Sequence, residues 1–181
     1  MRCPPTHHLV YGTLHDYLTG EELVDTDDER IRQQLARMMV EEKGYGKEDL
    51  EPRRFIETLF ATQFVRSTIT LTVSLQGRRI MVLRYAPGSL VSRERSAIAA
   101  ARVLEDQYQI PLAVVTNGRD AELLDSATGQ ILATGMEAIP DCQQALELLP
   151  TLVFRERMEA KKRERELRIL NSFDVEICCR R

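Results

Sequence analysis

The sequence predicts a mixed α/β fold: a mixed β-sheet core flanked by helices, closed by a helical C-terminal extension. Three observations predict it. Segments of helical and strand periodicity alternate along the chain. Residues 68–75 (TITLTVSL) alternate strictly, with Ile69, Leu71, Val73 and Leu75 on one side and hydroxyl residues on the other. Beyond Pro140 the sequence turns helical and stays so. A chain of 181 residues, 43% of them hydrophobic, can bury one good core.

Each element follows from local chemistry. Residues 1–24 read as an irregular lead-in, punctuated by Pro4-Pro5, Gly12 and Thr19-Gly20. A helix then starts in Asp25-Thr26-Asp27-Asp28, with Glu29 three residues after Thr26 as in a capping box. Ile31, Leu35, Met38 and Met39 form its apolar face, Arg30, Arg37 and Glu41 point outward, and Gly44 ends it. A strand is expected over 55–60, then the 68–75 strand, a turn at Gln76-Gly77 and a return arm over 80–85. Ala86-Pro87-Gly88 stops that arm. A second helix is expected over 94–109, where Ala97, Ala99, Ala100 and Ala101 let it lie close to a sheet. Residues 111–116 (PLAVVT) read as a buried strand stopped by Asn117-Gly118, and 122–125 with 130–134 as a closing hairpin. Helices over 141–149 and from 152 to about 170 complete the chain. The organisation expected is a lead-in (1–24), a core domain (25–135) and a helical extension (136–181).

Composition excludes more than it selects. A net charge of −3 with 29% charged residues names no partner. No apolar run approaches the ~18 residues of a membrane span, and the N-terminus lacks a signal-like stretch, so the expectation is a cytoplasmic protein with no membrane partner. Cys3, Cys142, Cys178 and Cys179 lack C-x-x-C or Cys/His ligand spacing, and His7, His8 and His15 fall in a Pro-rich segment and a turn, so no metal site is expected from them.

One absence stands out. Asp and Glu number 28, yet none occurs in the 36 residues from 58 to 93, across the central hairpin. In that hairpin region Arg66, Arg78, Arg79, Arg84 and Arg93 accumulate. They are candidate phosphate contacts, although edge strands carry charge against aggregation in any case and no aromatics interleave with them. Residues 155–168 (RERMEAKKRERELR) mix signs at spacings that allow i,i+4 pairs such as Glu159 with Arg163. Leu152, Met158, Leu167 and Leu170 add an incomplete apolar stripe.

Residues 24–33 (VDTDDERIRQ) with 41–45 (EEKGY), the return strand and turn over 77–88, and 111–118 (PLAVVTNG) together resemble the N-terminal nuclease domain of type I restriction enzyme R subunits. The resemblance covers about residues 20–135 and implies a restriction-endonuclease-like fold of the PD-(D/E)XK superfamily. Active members hold Mg²⁺ with an Asp on the first arm of this hairpin and a Glu-x-Lys on the second. Carried over, the Asp position falls on Thr70, the Glu position on Leu83, the Lys position on Tyr85, and a glutamine of the following helix near Ala100. Glu29 alone keeps the acid that the family places on its first helix. The loss of two carboxylates removes several kcal/mol of metal binding. What the resemblance then implies is a catalytically inactive relative with no cofactor, acting by binding an unknown protein partner or, weakly and non-specifically, nucleic acid. Two alternatives stand beside it: a metal-dependent endonuclease with displaced residues among Glu29, Asp25 and Glu94, and a module that is either purely structural or dimerising, the latter as a homodimer.

Overall fold

The computed structural model describes residues 10–60, 63–173 and 176–177. Cys3, Cys178, Cys179, His7 and His8 lie outside the described residues.

The lead-in expected to be irregular instead carries a hairpin. β1 (Val10–His15) pairs antiparallel with β2 (Glu22–Thr26). The turn between them is built by Asp16, whose carboxylate accepts the Leu18 and Thr19 N–H groups at 2.9 and 2.8 Å, while Gly20 takes a φ of +75°. Most side chains of these strands are exposed, so no buried alternation marks them in the sequence. α1 (Asp27–Glu41) follows, capped by Thr26, whose hydroxyl accepts Glu29 N–H at 3.1 Å. Leu35, Ala36 and Met39 are buried and Arg30, Arg37 and Glu41 exposed, as the helical spacing predicts.

β3 (Leu50–Phe60) begins earlier than expected. Its ladder with β4 (Gln63–Leu75) runs continuously in register from Leu50↔Val73 to Phe60↔Gln63. Pro52 reads as a breaker, but β3 is an edge strand and tolerates a residue without an N–H. The turn at Gln76 (φ +51°) and Gly77 (φ +77°) leads into β5 (Arg78–Tyr85). α2 (Val91–Val103) crosses over to β6 (Leu112–Thr116), parallel to β5, and β7 (Ala121–Asp125) and β8 (Ile131–Thr134) finish the sheet in the order β3-β4-β5-β6-β7-β8.

The helices depart from expectation at two places with one cause. α2 stops at Val103 rather than near residue 109, and after α3 (Cys142–Leu148) the last helix, α4 (Ala160–Phe173), starts eight residues later than the expected 152. The segments thus freed pair with each other: Gln109 N–H donates to Arg155 O at 2.8 Å, Arg157 N–H to Gln107 O at 3.2 Å, and Tyr108 bridges Glu156. A helix-like composition yields to this tertiary backbone pairing. β9 (Glu176–Ile177) lies against β4 at Val65 and Arg66.

Two cores sandwich the sheet. Leu35, Met39, Tyr45, Leu71, Val73, Met81, Leu83, Val114 and Ala145 share one, on the side of α1 and α3. Ile69, Val82, Ala97, Ala100, Ala113, Val115 and Leu170 share the other, under α2 and α4. Every residue from Ser96 to Ala101 is buried, which suits small side chains in a helix held between the sheet and α4. Buried Glu166 of α4 fastens the pair, accepting from Arg95 at 3.0 Å and Arg102 at 2.8 Å. Among the described residues no helix is long and apolar enough to cross a membrane.

Candidate functional site

Position 70 is set by the long β3–β4 hairpin. Between the Pro52/Leu71 and Arg54/Ile69 pairs, Arg53 adopts a left-handed φ of +53°. At this point β4 changes the core it serves, since Ile69 enters one and Leu71 the other despite equal parity. Thr70 sits at the change, 4% exposed, and its hydroxyl accepts the Tyr85 N–H at 2.8 Å, where the β4–β5 ladder ends.

Leu83 pairs with Leu71, is fully buried, and shares the first core with Met81 and Val114. Tyr85 is half-buried; its hydroxyl reaches Asp28 Oδ1 at 3.4 Å, and burial together with Asp28 raises its pKa. Thr70, Leu83 and Tyr85 thus gather on the α1 side, whereas Ala100 belongs to the core across the sheet.

What fills the space beside Thr70 is a charged network that sequence reasoning missed. Asp16, Glu29, Arg32, Gln33, Arg53 and Thr70 line a cavity of about 10 Å³. Gln33 Nε2 bridges the two acids, donating to Asp16 Oδ2 at 3.0 Å and Glu29 Oε1 at 2.9 Å. Arg32 lies 3.4 Å from Glu29, and Arg53 spans Asp16 and Glu21. Burial alone would raise the Asp16 carboxyl, but Gln33, the Thr19 N–H and Arg53 outweigh it and hold its pKa at about 2. Asp16 carried one signal in the sequence, an Asp ahead of a Thr-Gly turn; nothing in the sequence points to Arg53.

The other candidates lie elsewhere. Asp25 makes a two-pronged pair with Arg30 at 2.7 and 2.8 Å. Glu94, in the first turn of α2, sits beside Glu122, whose pKa is raised by burial and then by Glu94. Arg66 pairs with Glu57 at 2.6 Å, Arg78 stacks 3.8 Å over the Phe154 ring, Arg79 clasps Glu51 and Glu105, Arg84 is buried, and Arg93 lies in the first turn of α2. Among the described residues no three of His, Cys, Asp and Glu are grouped so as to hold a metal ion. Cys142 opens α3, and burial raises its thiol pKa.

The family model described as type I restriction enzyme R protein N terminus matches residues 27–140. The chain belongs to this family. No curated protein and no solved structure matches it. The span of the type I restriction enzyme R protein N terminus family runs from the first residue of α1 to just before α3 and so holds Thr70, Leu83, Tyr85, Ala100 and Glu29. Asp16, which completes the charged network, comes from the hairpin that precedes this family's span, and α4 from the segment that follows it.

Proposed function

We propose that the protein is a catalytically inactive relative of the R-subunit nuclease domain, acting by binding and located in the cytoplasm. One observation carries the reading: Leu83, at the second-arm acid position, is fully buried in apolar core. The surrounding donor set does not fit Mg²⁺, which demands an octahedron of oxygens. Leu83 offers no donor atom, and the Thr70 hydroxyl already accepts a backbone N–H. Asp16 and Glu29 are held by Arg53, Arg32 and Gln33, so guanidinium groups balance the carboxylates where a cation would. The cavity of about 10 Å³ leaves room for about one water molecule. The partner we propose is a protein or weakly held nucleic acid. The edge strand β8 supports a protein, including a second copy of this chain, because it exposes Ile131 and Leu132 beside a backbone edge that no other described strand covers.

A second reading, a nuclease with displaced residues, is favoured by the bridging of Asp16 and Glu29 through one amide beside Thr70. One assay separates the two. Supercoiled plasmid and single-stranded DNA, incubated with the protein in Mg²⁺ or Mn²⁺, are expected to remain intact. Cleavage that disappears in both Asp16→Asn and Glu29→Gln establishes the second reading and ends the first.

A further inference from the structure

We propose that the segment before α4, which follows the family's span, lines a phosphate-binding cleft, for the phosphoryl groups of a free nucleotide or a polynucleotide backbone. The pairing of 155–157 with 107–109 holds the segment extended. Arg155 and Arg157 both line one cleft of about 440 Å³, with Glu156 between them. Arg102 and Lys162 contribute the other cations of the wall, Glu156 and Glu159 its acids.

The balance of partners decides which charges are available. Arg102 is committed, its Nε to Ser126 O at 2.6 Å and its Nη1 to Glu166 at 2.8 Å. Lys162 lies 3.6 Å from Glu159. Arg155 and Arg157 are exposed and, among the described residues, form no ion pair. Arg66 and Arg79 of the hairpin, by contrast, already hold carboxylates. Two exposed guanidinium forks lining one cleft suit phosphate oxygens, which such forks bind bidentately. The polar lining and the size, that of a pocket for one nucleotide-sized group, agree with such a ligand. This inference holds whether or not Asp16 and Glu29 are catalytically silent.

The test is fluorescence anisotropy of the whole protein with a short labelled single-stranded DNA, at low and physiological salt. Arg155→Ala with Arg157→Ala is expected to weaken low-salt binding about tenfold and flatten the salt slope by roughly 1.4, at about 0.7 per phosphate contact. Its thermal midpoint is expected to stay that of the parent, since both side chains are exposed. Arg155→Lys with Arg157→Lys, which keeps the charge but not the two-pronged fork, is expected to recover only part of the affinity. Removal of two exposed charges elsewhere, by Arg37→Ala with Arg119→Ala, is expected to leave binding unchanged. Competition by 5′-AMP and inorganic pyrophosphate assigns the cleft to free phosphoryl ligands; binding that resists both assigns it to a polynucleotide backbone. A parent protein that binds none of these probes at low salt overturns the proposal, as does a double alanine variant that binds as well as the parent.

Discussion

Leu83→Glu is expected to destabilise the protein by about 4 kcal/mol, a large part of a typical domain's stability. Leu83 has no exposed surface and is surrounded by Leu71, Met81 and Val114. A carboxylate introduced there has no cation within the apolar core, so it must stay unpaired or take up a proton. Leu83→Met, which conserves volume, is expected to cost less than about 1.5 kcal/mol. Urea denaturation of the three proteins decides the matter. A glutamate variant whose midpoint stays near that of the parent means that the position faces an open, wet cleft, the arrangement of a working metal site.

The second large effect concerns Asp16. Its carboxylate accepts two backbone N–H groups, the Gln33 amide and the Arg53 guanidinium. Asp16→Ala leaves these donors without their acceptor, and Arg53 keeps only Glu21, so a loss of about 3 kcal/mol is expected. Acid adds an independent signature. The folded-state pKa of about 2 lies below the ordinary 3.8, so the folded protein binds this proton less readily than the unfolded chain. The resulting stabilisation, about 2 kcal/mol, is fully present above pH 4 and is lost as the pH falls from about 4 to about 2. In Asp16→Asn that step is expected to vanish from the pH dependence of the denaturation midpoint. An acid limb that is the same in parent and variant rules out the depressed carboxyl.

Much of the fold was legible because it rests on short-range rules. Thr26 caps α1, Gln76-Gly77 turns the hairpin, and the alanines of α2 lie against the sheet, each readable from a few neighbouring residues. Leu83 is buried together with Met81 and Val82 because β5 is a central strand that serves both cores. The charged network was illegible for a different reason. Asp16 and Arg53 are 37 residues apart, and Arg53 reaches Asp16 from a left-handed conformation that no neighbouring residue announces. The extended run before α4 reads as helix because Leu, Arg, Glu and Met all favour helix, and its backbone pairing with 107–109 overrides that preference.

The change of sides at Arg53 has a consequence for how the molecule comes apart. β4 sends Ile69 into one core and Leu71, Val73 and Leu75 into the other, so both helical layers lean on one continuous strand. Neither layer can loosen its grip on β4 without disturbing the ladder that supports the other. The two halves are therefore coupled into one cooperative unit, and slow amide exchange in α1 and in α2 should report the same global opening rather than two separate ones.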